Sequence, residues 1–398
     1  MIRVTLLSLL FIFFPGKTFE RKQMIRVTPL PKAWSRLDEP DFFHPSIAEL
    51  DDGTWLMTMQ RKPPVDDIYG PPEFALSVDR GAHWSAPAPI PGMEYRETAP
   101  GIIRNVADIR VFSSPDRKSA LVIGVTSYYR GDKRLPPAEH TAKTPKQPMY
   151  AFFHRDTGWS PARLLDAGCF PPEVHWRAAC TPLVWQDDSI LLPVYFTERP
   201  GRFAARTLKL ARDGDTLRAT AWGAPLAHDF GRGFMEPSAV GFRDRYYLTL
   251  RAEDGHGHWC VSDDGLNWSP ARIWRFDDGT PLETSTTQQH WLRLGDQLCL
   301  VYTRRRPENE HVMRWRSPLL VAVFDPDAGC LRRDSERVVF PYQERDGLYN
   351  RMGNFHAAEL PRGRGVVSVG ALYAEVQDGR ILRNFSEVCI AELNWNQP

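Results

Sequence analysis

Short apolar runs separated by Gly, Pro, Asn and Asp recur along the whole chain, and no long stretch carries a helical period. Trp291-Leu292-Arg293-Leu294 shows the alternation of a half-buried strand. Six segments share one form: a polar residue, a short apolar strand, a turn, then a second strand ending in a charge. They run from His44-Pro45-Ser46-Ile47 to 55–61, Asn105-Val106-Ala107 to 121–130, and Cys180-Thr181-Pro182-Leu183 to 190–199. The other three run from Glu236-Pro237-Ser238-Ala239 to 246–253, Gln289-His290-Trp291-Leu292 to 298–305, and Asn354-Phe355-His356-Ala357 to 366–375. Counted from Pro45, Val106, Thr181, Pro237, His290 and His356, the units lie 53 to 75 residues apart. Trp84-Ser85-Ala86-Pro87, Trp159-Ser160-Pro161 and Trp268-Ser269-Pro270 close units on the same beat, with Trp222-Gly223-Ala224-Pro225 as a weaker copy. Each unit has room for four strands and is too small to bury both sheet faces alone, a problem that radial arrangement solves. The pattern therefore predicts an all-β chain: a six-bladed β-propeller of four-stranded antiparallel blades filling residues 30–398 as one domain, with strand 388–395 closing the ring. A stack of β-sandwich domains is the competing arrangement.

Composition narrows the partners. Lys+Arg is 50 against Asp+Glu 49, so the chain carries no global footprint for nucleic acid or an anionic membrane, and any basic cluster must be local. None of the six cysteines forms a CxxC pair, which excludes a zinc ribbon or a thioredoxin-like motif and leaves free thiols as the simplest reading. Residues 4–14 form an apolar run of signal-peptide length, too short to span a bilayer, with no A-x-A site after it. Met1-Ile2-Arg3-Val4-Thr5 recurs as Met24-Ile25-Arg26-Val27-Thr28. Residues 1–23 are thus a signal peptide or an upstream extension: secretion or a periplasmic location follows from a start at Met1, a cytoplasmic one from Met24. No membrane span is expected.

Two turns are more specific. Ser77-Val78-Asp79-Arg80-Gly81-Ala82-His83-Trp84 fits S-x-D-x-G-x-x-W, and Ser262-Asp263-Asp264-Gly265-Leu266-Asn267-Trp268 is the same motif one residue short. They resemble the Asp-box, or BNR repeat, of the sialidase (neuraminidase) superfamily, in which these residues are structural. Glu236-Pro237-Ser238, followed by a strand ending at Arg251 and then the second Asp-box, resembles the family's segment carrying the Glu that partners its nucleophile and a carboxylate-binding Arg. By the same resemblance Arg316, in Arg314-Trp315-Arg316-Ser317-Pro318, is the later Arg of the family's triad, and Asp67, with Asp66 as fallback, is the acid in the first-blade loop. Two positions depart from the family. Phe43-His44-Pro45 stands where the family has Arg-Ile-Pro, so the first triad Arg is absent, and Phe355-His356 stands where the nucleophilic Tyr begins the sixth inner strand. Tyr349 and Tyr342, from the preceding loop, are the candidates to replace it.

Periodicity alone also assembles a site. Inner-strand starts and second-strand ends converge at one face of a propeller, which gathers His44, His175, Glu236, His290 and His356 with Arg61, Arg130, Glu198, Arg251, Arg304, Arg305 and Arg316. Converging guanidinium groups suit a carboxylate. The expected activity is release of a terminal acidic sugar, sialic acid or a relative, from a glycoconjugate, with Asp67 as acid, Glu236 as base, and His356 and His290 as further catalytic candidates. Arg61, Arg251, Arg316, Arg304, His44 and His175 would bind the acidic glycan. A polysaccharide lyase using His290, His356, Tyr129 and the arginines is a second reading, and a non-catalytic carbohydrate-binding propeller a third. Trp176, Trp291 and Trp315 suit blade packing or sugar stacking. No cofactor is expected, and no metal: Asp254-Gly255-His256-Gly257-His258 reads as a flexible Gly-rich turn.

Overall fold

The computed structural model describes residues 24–34, 41–61, 69–131, 133–136, 139–141, 143–171, 173–178, 180–187, 189–377 and 380–396. The segment 1–23 and the loop holding Asp66 and Asp67 lie outside them.

The strands form six antiparallel sheets in chain order and together make a β-propeller. The first contains Phe42–Glu49, Trp55–Arg61, Pro72–Ser77 and Ala88–Pro89, and the fourth contains Met235–Phe242, Arg245–Arg251, Gly257–Ser262 and Arg272–Ile273. Those two sheets have the expected four strands. The others hold five to seven, because short edge strands such as Arg96–Ala99 and Lys133–Arg134 add to them. The last sheet also departs from expectation. Arg380–Asn396 is flanked by Arg364–Gln377 and by the N-terminal strand Met24–Pro29, with Met24 opposite Asn396, so the two ends of the described chain are paired side by side. Among the described residues the helical segments are short 3-10 turns such as Pro307–Asn309, Met313–Trp315 and Arg333–Ser335, and no helix is long and apolar enough to cross a membrane.

The core lies between sheets, which is why units this small are stable. Leu121, Ile123 and Phe152 of the second sheet pack on Ile190, Leu192 and Leu208 of the third. Tyr247 and Trp259 of the fourth meet Leu300 and Phe324 of the fifth. Phe42, Ile47 and Trp55 of the first meet Val388 and Ile390 of the sixth. Trp176 and Trp291 are buried in two of these clusters, so packing is their role.

The Trp-Ser-Pro beat has a local cause. Ser85, Ser160 and Ser269 each donate their backbone N–H to a third-strand carbonyl, of Leu76, Phe152 and Val261. Each Oγ in turn accepts the N–H of that same residue, so one serine satisfies both backbone groups where the strand ladder stops. In the Asp-boxes Ser77 Oγ and Ser262 Oγ accept the N–H of Gly81 and Gly265, while Asp79 and Asp264 accept the N–H groups of His83 and of Leu266 and Asn267. Those hydrogen bonds hold both carboxyls down at about 2, Asp264 against its own desolvation. Gly81 sits at φ +85° with the Trp55 ring 3.2 Å from where a Cβ would stand, so the turn requires glycine twice over.

Candidate functional site

One backbone device positions the site. In or just before an inner strand of each of the first four sheets a non-glycine residue adopts positive φ: His44 at 53°, Asp108 at 55°, Cys180 at 56° and Glu236 at 43°. In three of these sheets the pairing register slips at that point, between Phe43 and Ser46, between Ala107 and Arg110, and between Met235 and Ser238. Each slip is a bulge that takes one side chain off the ladder and turns it towards the axis. Strained residues repeated at equivalent places are the usual mark of a site the rest of the fold holds in position.

The Glu236 side of this ring is basic. Arg251 ends the strand paired to the Glu236 bulge, and its Nη1 donates to Glu236 Oε1 at 2.7 Å while its Nε donates to Thr286 Oγ1 at 2.9 Å. Burial works against the Arg251 charge, but the Glu236 carboxylate outweighs it and raises the pKa. Arg316 follows the 3-10 turn Met313–Trp315. Burial first, then the charges of Arg251 and Arg314, push it down to about 10, and its buried Nε has no hydrogen-bond partner among the described residues. A Cβ at Gly353 would collide with the Arg316 guanidinium, so that glycine makes the space for it. Arg314 is held below the usual arginine range by desolvation and by the charges of Arg251 and Arg232. Arg251 is thus bonded to Glu236, and Arg316 and Arg314 both lie within reach of its charge. Beside them His44 Nε2 lies 3.2 Å from Asn354 Nδ2 and 3.6 Å from Asp108 Oδ1, and the His44 ring meets Tyr69 edge-on at 4.8 Å. Burial, then Arg110, keeps His44 well below its usual pKa, hence neutral at pH 7.

Glu236, Arg251, Arg316 and His44 therefore come together as expected, while other expected members do not. Arg61 pairs with Glu73 on the neighbouring strand. Arg304 makes a bidentate pair with Glu336 at 2.8 and 2.7 Å, and Arg305 and Arg130 pair with Glu310 and Glu139. These strand ends meet a carboxylate of their own before reaching the axis. His175 lies against His140, with ring centroids 4.6 Å apart, and burial, then His140, drives its pKa down to about 4. His290 and His356 are buried at 0% and 1% exposure. The registers explain why: His290 pairs with Val301 as Ser238 pairs with Thr249, which places it two residues along the strand from the Glu236 level, and His356 matches it in the sixth sheet. Both lie deeper than Glu236, under the influence of the Arg110 charge. Tyr342 and Tyr349 pack about His311. Phe355, in the nucleophile's place, is fully buried. The residue proposed as acid, Asp67, lies outside the described residues.

Sequence reasoning missed three residues. Asp108 was hidden because the second unit was aligned on Asn105; counting five residues back from the Ser113 strand end finds it, as five from Glu49 finds His44. Arg314 stood inside the Arg316 motif without a role. Lys146, which burial and then Arg177 hold at about 7, had no motif at all.

His44, Asp108 and Cys180 offer three metal-type donors within 4.8 Å of one another. Arg110 Nη2 stands 3.2 Å from Cys180 Sγ, however, and Arg316 acts on His44, so the surroundings suit an anion rather than a cation. A cavity of about 950 Å³ opens elsewhere, lined by Val111, Pro182, Trp185, Gly241, Arg293 and Glu359 among others, and holds none of the expected site residues.

No protein-family model matches the chain, and no curated protein matches it. Solved structures do. A protein of unknown function from Dyadobacter fermentans superposes with TM-score 0.64 at 16% identity, over 94% of this chain and 99% of its own. A Trypanosoma rangeli sialidase superposes with TM-score 0.60 at 14% identity, over 92% of this chain. The fold is a divergent sialidase-like propeller. The NanB sialidase of Streptococcus pneumoniae agrees, with TM-score 0.60 at 11% identity over 92% of this chain and 70% of its own. The sialidase-like propeller described here spans 57% of the trypanosomal enzyme's length.

Proposed function

We propose that the six sheets act as six blades around one axis and that the protein is an exo-acting glycoside hydrolase releasing a terminal acidic sugar, sialic acid or a relative, from a glycoconjugate. The observation that carries this reading is the 2.7 Å Arg251–Glu236 pair set among Arg314 and Arg316. Three guanidinium groups facing one carboxylate leave positive charge that a sugar carboxylate neutralises bidentately. Arg314 then supplies the third arginine that Phe43-His44-Pro45 lacks. Glu236 acts as base, either on water or on a nucleophile, and Asp67 protonates the leaving oxygen. Asp108, two sheets before Glu236 in chain order, is the second candidate acid, and Asp67→Asn against Asp108→Asn separates the two. Incubating the purified protein with sialosides and uronic-acid-capped glycans, with product analysis, tests the reading: release of an intact acidic monosaccharide supports it, and untouched substrates overturn it.

One observation favours a second reading. A neutral His44 beside Tyr69, near Arg316, is a base, an acid and a carboxylate partner of the kind a lyase needs. It would act at C5 of a uronic acid and leave an unsaturated product that absorbs in the ultraviolet.

A further inference from the structure

The Gly-rich turn after Arg251 does not act alone. His228 reaches it from the connection between Thr216–Trp222 and Met235–Phe242. Its Nε2 lies 3.2 Å from Asp254 Oδ2, and His258 Nε2 lies 2.8 Å from the same oxygen. All three donor atoms fall within 4.8 Å of one another. Ligands at the usual Zn²⁺ distances of about 2.0–2.1 Å in a tetrahedron stand about 3.3 Å apart, which the two distances to Asp254 Oδ2 approach, and the two imidazoles lie near enough to close on an ion between them.

The donors are also held. The His228 ring stacks on Phe234 at 4.8 Å with 10° between planes, and the His258 ring meets Phe234 at 5.2 Å. Asp254 Oδ1 accepts the N–H of His256 at 3.2 Å, which fixes the carboxylate from behind. Burial, above all, keeps His258 below its ordinary value; burial also raises Asp254, but the hydrogen bond and charge of His258, the N–H of His256 and the charge of His228 together bring it below its ordinary value. His258 and His228 act on the Asp254 carboxylate through their side chains, and His256 through its backbone N–H. That separates this cluster from His44, Asp108 and Cys180, which have comparable donor types but face Arg110 and Arg316.

We propose that His228, Asp254 and His258 bind a divalent transition metal, with Zn²⁺ the fitting ion, and that the ion ties the 223–234 connection to the wall of the arginine pocket. Two imidazoles and one carboxylate are the donor set of three-ligand zinc sites with an open position, whereas Ca²⁺ and Mg²⁺ prefer all-oxygen shells. The same connection is clamped one residue away by Arg232, whose N–H and Nε donate to the Glu253 carboxylate at 3.0 and 2.8 Å. A metal here would fix Glu253 and, through the strand end, Arg251. The site stands on its own geometry, whether or not the pocket hydrolyses sugars.

The experiment titrates the chelator-treated full chain with Zn²⁺, read by calorimetry and by thermal unfolding, and with Co²⁺, read by visible absorption. The expected result is one Zn²⁺ per chain, a Tm that rises with Zn²⁺ concentration, and the intense visible bands of tetrahedral Co²⁺. His228→Gln, a half-buried position whose change leaves the strands intact, should weaken binding by at least about 100-fold and remove the bands. Asp254→Asn, similar in shape, should do the same while the apo Tm stays close to that of the parent. Absence of stoichiometric binding to the folded parent overturns the proposal, as does undiminished binding by both variants.

Discussion

Two layers of polar residues face the propeller axis, two positions apart along the inner strands, and they have opposite characters. At the mouth, Glu236 keeps 17% of its side chain exposed and is paired to Arg251, and the residues turned inward there adopt positive φ. Two residues deeper, Ser46, Arg110, Ser238, His290 and His356 are at most 1% exposed. Arg110 is met there by the carbonyls of Ile109 and Phe355 and by Cys180 Sγ, and both ring nitrogens of His356 lack a hydrogen-bond partner among the described residues. The residue types are equally suggestive in both layers. What separates them at Glu236 is the bulge: the strained residue off the ladder keeps contact with solvent, while the next inward residue on the ladder, Ser238, meets the core. His44 is off its ladder too and is as buried as the deep layer, so the bulge lifts a side chain off the ladder and the packing around it sets its exposure.

The largest break between the layers is expected in turnover. Glu236→Gln should lower kcat by about 10²- to 10⁴-fold on any acidic glycoside the parent cleaves, the range for an acid–base group, and should also lower Tm, since the buried Arg251 loses the carboxylate it is bonded to. Phe355→Leu, a near-isosteric change in the core, should cost less than about 1.5 kcal/mol of stability and little turnover. Equal rates for the parent and the Glu236 variant would remove the mouth layer's claim to the chemistry.

Ligand binding sharpens the same contrast. Arg251→Ala and Arg316→Ala should each weaken binding of an acidic monosaccharide by about 2–5 kcal/mol, since each leaves buried charge unpaired. Arg314, on the exposed side, should cost about 1 kcal/mol or less. Titrating the free acid beside its methyl ester checks the cause. The ester should bind weakly to the parent and be nearly indifferent to the three substitutions.

The buried histidines of both layers should report on stability with pH instead. Burial holds His44, His290 and His356 well below the ordinary histidine value, so between pH 6.5 and their folded values the unfolded chain binds protons that the folded chain does not. Stability is then complete above about pH 6.5 and falls as pH drops, by at most about 1.4 kcal/mol per pH unit for each histidine. Urea unfolding at pH 7.5, 6 and 5 measures the slope. His356→Phe should flatten it by one histidine's share, and an unchanged slope would show that His356 is not held neutral.

The repeating strands and the Trp-Ser-Pro closures were legible in the sequence because each rests on local chemistry: alternation along a strand, a serine capping a ladder, a glycine at positive φ. Glu236 and Arg251 were legible too, because a motif and the strand between them fix their relation. The number of strands per sheet was not, since short edge strands such as Lys133–Arg134 carry no periodic signal. Nor was the sorting of the arginines. Whether Arg304 turns to the axis or to Glu336 depends on a residue 32 positions away in sequence, and the depth of His290 depends on a register that one shifted alignment conceals. His228 and Asp254 were unreadable together for the same reason, with 26 residues and a sheet boundary between them.

The smallest expected effect on ligand handling belongs to Arg61. It stands at a second-strand end, as Arg251 does, and the sequence gives the two the same standing. Arg251 is 8% exposed and faces Glu236 at the mouth, whereas the Arg61 side chain is 47% exposed and is held by Glu73. Arg61→Ala should therefore leave the affinity for an acidic sugar within about twofold. Its cost should fall on stability instead, about 1–3 kcal/mol, because the Glu73 side chain is only 6% exposed and would lose its charged partner. Glu73→Gln in the same background should recover part of that loss, since an amide tolerates the site without a cation. Isothermal titration beside urea unfolding of the single and double variants resolves the two effects. A drop in affinity of tenfold or more for Arg61→Ala, not recovered in the double variant, would place Arg61 in the pocket and erase the distinction between the two strand ends.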